Sequence, residues 1–179
     1  VKAAEEKQYN EEYLTELGLC SRSQKTDKLL DRFRDRVMFP ISNQMGKIVG
    51  FGGRIMGERK DVGKYINSPE SSIYHKSQIL YGLHLAKKAI REKDLCILTE
   101  GYMDVILLYQ NGIQNVVASS GTALTPEQIR LIRRYTQNVL IIFDGDKAGI
   151  KAAMRGIDLI LKERMTVKVL LLPDGHDPD

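Results

Sequence analysis

Carboxylates stand directly after apolar runs in this chain, and that placement is the first sign of chemistry. The run 95–99 is followed by Glu100 and Gly101, the run 139–143 by Asp144, Gly145 and Asp146, and the run 167–172 leads into Asp174, Asp177 and Asp179. If the backbone stays extended, residues two apart point the same way, so Asp144 and Asp146 would share one side, as would Asp177 and Asp179. Like charges gathered at one rim repel, at a cost on the order of several kcal/mol in a low dielectric. A fold retains such a cluster when the acids share protons or hold cations. An all-oxygen donor set, without cysteine, selects Mg²⁺ or Mn²⁺. One or two such ions, roughly 4 Å apart in paired sites, serve phosphoryl transfer. The competing reading makes these acids turn and cap residues: Asp-Gly pairs are common in turns, and Asp146 is well placed to cap a helix starting near Lys147.

The elements that must carry these acids follow from periodicity. Short apolar runs at 95–99, 116–118, 139–143 and 167–172 read as strands. Helical patterns lie between and before them, at 77–93, at 102–111, after Thr125-Pro126 and at 147–164. Alternating helices and nearly all-apolar strands predict a mostly parallel four-stranded sheet flanked by helices on both faces. In such a sheet function collects at the carboxyl ends of the strands, which is where the acids fall. Upstream, 8–18 reads as a helix stopped by Gly18 and 21–27 as a polar loop. Residues 37–41 and 47–51 read as a hairpin, and 65–67 as a short strand. Gly50, Gly52 and Gly53 mark a flexible or closely approached patch.

Charge divides the chain more sharply than its net +4 suggests. Residues 1–20 carry 2 basic and 5 acidic side chains, 21–94 carry 16 and 8, and 95–179 carry 9 and 10. The basic middle reads as a surface for a polyanion or as a solvated Lys/Arg face, with equal weight. The balance of 42% hydrophobic and 28% charged residues excludes a disordered or collagen-like chain. Cys20 and Cys96 are too few for a disulfide framework or a zinc site. No apolar run approaches the roughly 20 residues that span a bilayer. The start has no signal-peptide pattern and no initiator Met, so the expectation is a fragment of a larger cytoplasmic protein. There is no phosphate-cradling loop ending in Gly-Lys-Ser/Thr, and the segment 50–55 lacks the last glycine of the dinucleotide fingerprint.

Three motifs, Glu100-Gly101-Tyr102-Met103-Asp104, Asp144-Gly145-Asp146-Lys147-Ala148-Gly149 and Gly175-His176-Asp177-Pro178-Asp179, resemble the acidic motifs of the Toprim fold. The basic block narrows the resemblance. The segments 31–41, 50–54, 64–70 and 74–76 are similar to the basic subdomain in the RNA polymerase domain of bacterial DnaG-type DNA primases. The resemblance covers roughly residues 31–179. It implies a Toprim-type α/β subdomain over 94–179, preceded by a partial basic α+β subdomain over 1–93. It implies DNA-directed synthesis of short RNA primers from ribonucleoside triphosphates on a single-stranded DNA template.

Residue by residue, the resemblance makes Glu100 a general acid/base or metal ligand, Asp144 and Asp146 the catalytic metal-binding pair, Asp177 and Asp179 the third acidic motif, and Asp104 a supporting acid of the metal site. Arg32, Arg34, Arg54, Lys64 and Lys76 match positions that meet template and nucleotide phosphates, and Tyr65 and Asn67 sit in the same motif. For Tyr65, core packing weighs equally. Mg²⁺ or Mn²⁺ is the implied cofactor, with zinc only in an upstream module. A replicative helicase is the implied partner through a C-terminal domain, at the bacterial replication fork, and a monomer is expected. A piece of this extent is expected to bind divalent metal but to synthesise primers weakly or not at all. The alternatives are a Toprim nuclease or topoisomerase-like fragment and a nonenzymatic nucleic-acid-binding module.

Overall fold

A run of three glycines and alternating apolar residues in 48–55 makes a strand that other segments can approach closely, and the first half of the molecule is built around it. The structure is a computed structural model that describes residues 1–57, 62–121 and 123–172, the side chain of Leu171 excepted. The chain divides into two compact units, 1–41 with 48–75 and 42–47 with 76–179.

The first unit contains helices α1 (Lys2–Glu6) and α2 (Glu11–Glu16), the strand pair β1 (Cys20–Arg22) and β2 (Leu29–Asp31), and a sheet of β3 (Arg36–Ser42), β4 (Ile48–Ile55) and β5 (Tyr65–Asn67). Helix α2 is shorter than its apolar pattern suggests. Asn10 caps its start by accepting from the Glu12 N–H at 2.7 Å. The polar segment 21–27, expected as a loop, supplies two of the three residues of a strand: Cys20–Arg22 pairs antiparallel with Leu29–Asp31. Cross-strand backbone bonds hold this pair, which no local apolar pattern announces. The glycines of β4 are sites of close approach. A Cβ on Gly53 would lie 2.7 Å from the Phe33 ring, and one on Gly50 would lie 3.2 Å from the Tyr74 ring.

The second unit contains a 3₁₀ turn at Lys76–Gln78, then α3 (Leu83–Lys93), β6 (Cys96–Thr99), α4 (Tyr102–Gln110), β7 (Val116–Ala118), α5 (Pro126–Arg133), β8 (Asn138–Phe143), α6 (Lys147–Lys162) and β9 (Thr166–Leu171). The four strands form a parallel sheet in the order β7-β6-β8-β9. Every residue of β6 and β7 is buried, as a sheet covered on both faces requires. One core cluster joins Leu83, Ala86 and Ile90 of α3 to Ile129 and Ile132 of α5 and Ile160 of α6. The other packs Val105 of α4 against Ile97, Val116 and Ile142.

The expected helix over 77–93 is interrupted. Gly82 adopts φ +81°, where a side chain would be strained, and its Cβ would meet Val105 at 2.9 Å. Just before it, Tyr81 exchanges two backbone hydrogen bonds with Ala118, at 2.9 and 3.1 Å. The segment is thereby drawn into pairing with the end of β7, and the helix begins only at Leu83. Helix α3 packs into the core of the second unit, whose main segment begins at residue 76. Helix α5 opens as expected, with Thr125 capping Gln128, Gln128 returning the bond, and Pro126 in the first turn.

Candidate metal and nucleic-acid site

The strand order fixes where the acids meet. From β6 the chain passes to β7 on one side, then crosses back to β8 on the other, so β6 and β8 are neighbours whose connections diverge. Such a topological switch point opens a crevice at the carboxyl ends of the two strands. Glu100 follows β6 and Asp144 follows β8, so both acids stand at that crevice.

Glu100 is half-buried, and its Oε1 is buried without a hydrogen-bond partner. Its pKa is pushed above the ordinary carboxylate range, first by burial and then by the charge of Asp144, with smaller contributions from Asp104 and Asp146. A hydrogen bond from the Asp144 backbone works the other way. The field at Glu100 is thus set by the three acids that the motifs singled out.

Asp104 occupies the first turn of α4 and is 7% exposed. Its Oδ2 accepts from the Gly101 N–H at 2.8 Å and the Glu100 N–H at 3.2 Å. It therefore fixes the backbone that carries Glu100, and its charge suits the positive end of the helix. Strand β8 stops at Phe143 and the chain bends at 145–146, so extended spacing does not govern the Asp144/Asp146 pair. Asp146 caps α6 instead, its Oδ1 accepting from the Gly149 N–H at 2.7 Å. The cap uses one oxygen of the carboxylate and leaves Oδ2 for a further partner.

Gly149 is a residue whose role the sequence reading did not assign. A Cβ there would lie 2.2 Å from the Asp144 carbonyl oxygen. The first turn of α6 can close beneath Asp144 only because position 149 has no side chain. The signal in the sequence was a glycine inside the first turn of an otherwise regular helix.

Asp177 and Asp179 lie outside the described residues. Among the described residues no three Asp, Glu, His or Cys side chains come together as a metal-holding group. The donors present nevertheless fit a hard divalent cation. They are carboxylate oxygens, one is orphaned and buried, and burial together with the neighbouring carboxylate charges raises Glu100, a shift that a dication would oppose.

The basic residues fall mostly in the first unit. Arg54 and Tyr65 are partners across β4 and β5, and the Arg54 guanidinium lies 5.7 Å from the Tyr65 ring centroid. The Tyr65 ring packs 6.3 Å from Phe39, and the residue is 37% exposed. Arg32 donates to the Asn67 carbonyl at 3.2 Å. Lys64 and Arg34 are exposed. Lys76 belongs to the second unit, where its carbonyl accepts from Gln128 at 3.1 Å. Among the described residues no helix is long and apolar enough to cross a membrane.

Residues 1–87 match the family described as DNA primase catalytic core, N-terminal domain, and residues 97–179 match a Toprim-like family. The DNA primase of Halalkalibacterium halodurans is 50% identical over 164 residues, covering 92% of this chain and 27% of that protein. Among solved structures, the Aquifex aeolicus primase (zinc-binding and RNA polymerase domains) superposes with a TM-score of 0.90 at 42% identity, covering 99% of this chain and 43% of that one. A DnaG primase catalytic domain bound to single-stranded DNA superposes with a TM-score of 0.88 at 40% identity, covering 99% and 58%. The chain thus spans about a quarter of the length of the curated relatives it matches.

Proposed function

The chain belongs to the bacterial DnaG-type DNA primase family, within its catalytic core, and from that premise we propose that it takes part in DNA-directed synthesis of RNA primers from ribonucleoside triphosphates on single-stranded DNA. The observation that carries the proposal is the meeting of Glu100 and Asp144 at the switch point of the sheet, with a buried carboxylate oxygen left unpartnered.

Glu100, Asp144 and Asp146 are the residues that would hold Mg²⁺ or Mn²⁺, with Asp177 and Asp179 as further donors from the third acidic motif. When bound, the cation would supply charge neutralisation at the triphosphate and acidify the attacking 3′-hydroxyl. The chain's own residues do the rest. Asp104 holds the Glu100 backbone in place through two N–H bonds. Gly149 allows α6 to approach Asp144, and the capped helix end orients Asp146. Because Glu100 is raised, it retains a proton to higher pH than an ordinary carboxyl, and that proton must leave before the oxygen can act as a donor.

In the first unit, Arg34, Arg54 and Lys64 attract phosphates, and release of counterions gives that attraction a strong salt dependence. Arg32 contributes charge while its guanidinium holds the Asn67 backbone. Asn67 adds a polar contact at the end of β5. The exposed face of Tyr65, beside Arg54, offers a surface on which a base can stack without sequence preference. Lys76 supplies a cation from the second unit. A replicative helicase enters as a partner of the longer protein, as the family resemblance implies.

The test is incubation of the longer protein that carries this segment with single-stranded DNA, labelled ribonucleoside triphosphates and Mg²⁺. Incorporation into short RNA, abolished in Asp144→Asn, supports primase activity. Nicking of supercoiled DNA without incorporation would replace it with the nuclease reading. Unchanged nucleic-acid and metal binding in Asp144→Asn with Asp146→Asn would favour a nonenzymatic binding module.

A further inference from the structure

The segment 32–36 crosses β4 at Gly53, and its two outer arginines grip the short strand β5 at both ends. Arg32 donates to the carbonyl of Asn67, the last residue of β5, at 3.2 Å. Arg36 donates through Nη1 to two carbonyls, Gly53 at 3.0 Å and Lys64 at 3.3 Å. Those two carbonyls immediately precede Arg54 and Tyr65, which face each other across β4 and β5. One guanidinium nitrogen therefore ties together the backbone on which Arg54, Lys64 and Tyr65 are mounted.

The crossing is built for this purpose from both sides. The Phe33 ring occupies the space that a Cβ on Gly53 would take, and it packs edge-on against Phe51 with centroids 6.4 Å apart. Asp35 turns the chain at φ +54°, and its carbonyl accepts from the Met56 N–H at 2.9 Å. Arg36 is thereby directed inward and is half-buried, whereas Arg34, between the two gripping residues, is exposed. Strand β5 has three residues and lies at the sheet edge, so it needs such bracing to hold a register.

We propose that Arg36 is a positioning residue for template binding: it sets Arg54, Lys64 and Tyr65 in place through the Gly53 and Lys64 carbonyls and does not itself contact nucleic acid. The inference rests on the primase reading of the basic unit. A planar guanidinium nitrogen presents two N–H bonds at a fixed angle, and a lysine ammonium on a flexible stem does not reproduce that fork. Charge and geometry can therefore be separated by substitution.

The experiment measures oligo(dT) binding by fluorescence anisotropy over a salt series for the wild type, Arg36→Lys and Arg36→Met, with a thermal melt of each. Each phosphate contact on a single strand contributes about 0.7 to the slope of log K against log salt. Displacement of Arg54 and Lys64 together reduces that slope by about 1.4, and it does so in Arg36→Lys as in Arg36→Met, because the retained charge does not restore the bridge. Arg36→Lys decides the matter alone if Arg36→Met does not fold. A wild-type slope in Arg36→Lys, with a reduction confined to Arg36→Met, would make Arg36 a direct phosphate contact and overturn the proposal. A lowered melting temperature with an unchanged slope in both variants would make it purely structural and also overturn it. Absence of salt-dependent binding in the wild type would instead sink the primase reading on which the inference stands.

Discussion

Substitution of Gly149 by alanine puts a single methyl group against the backbone of Asp144. The new Cβ would lie 2.2 Å from the Asp144 carbonyl oxygen and 3.0 Å from both its carbonyl carbon and its nitrogen. An ordinary contact begins at 3.4 Å, so the turn carrying Asp144 must separate from the first turn of α6 by about 1 Å. Every opposing atom is backbone, and no side chain can swing away. Overpacking of this kind costs roughly 1–3 kcal/mol, and the better helix propensity of alanine returns up to about 1 kcal/mol. The net destabilisation is about 1 kcal/mol, which lowers the urea midpoint by about 0.5 M for a domain of this size. The same displacement moves Asp144 relative to Glu100 and strains the bond from the 149 N–H to Asp146, so Mn²⁺ affinity should fall about tenfold. Urea unfolding followed by circular dichroism and Mn²⁺ titration by electron paramagnetic resonance read the two effects separately. An unchanged midpoint together with unchanged Mn²⁺ binding would refute the argument that position 149 must be empty to seat Asp144.

Other substitutions separate structural duties from binding ones. Asp146→Asn keeps a capping oxygen and retains stability while weakening Mn²⁺ binding; Asp146→Ala loses the cap as well and unfolds about 1 kcal/mol more easily in urea. Asp104→Ala removes the acceptor of two N–H bonds near the Glu100 backbone and costs about 2–3 kcal/mol in the same measurement. Glu100→Gln tests the raised carboxyl. Below about pH 4 both folded and unfolded chains hold the proton and the substitution gains nothing; as pH rises, the unfolded chain ionises first, so the wild type loses stability that Glu100→Gln keeps. Denaturant midpoints from pH 4 to pH 8 would show this divergence, and parallel curves would contradict it. Mn²⁺ affinity should likewise rise with pH until Glu100 has lost its proton, a dependence absent in Glu100→Gln.

The second unit was legible because its strands are buried on both faces and so appear as short, almost uninterrupted apolar runs. The order in which acids follow those runs then places Glu100 and Asp144 at strand ends. Features that depend on distant partners were not visible. Cys20–Arg22 is a strand only because Leu29–Asp31 lies beside it, and residues 79–82 leave the helical path only because Tyr81 finds Ala118. The dual role of Asp146 was open in the sequence, since an Asp-Gly-Asp turn suits both a cap and a ligand, and only the bond to Gly149 reveals the cap. Arg36 looked like one more cation in a basic block. Its neighbours Arg32 and Arg34 have the same composition and charge, and only the carbonyls of Gly53 and Lys64 distinguish its work from theirs.

The most direct measurement of the central claim is anomalous diffraction from crystals soaked in Mn²⁺. The account predicts a peak at the carboxyl ends of β6 and β8, with oxygens of Glu100 and Asp144 within about 2.5 Å of the ion. A peak elsewhere, with neither carboxylate touching it, would contradict the account.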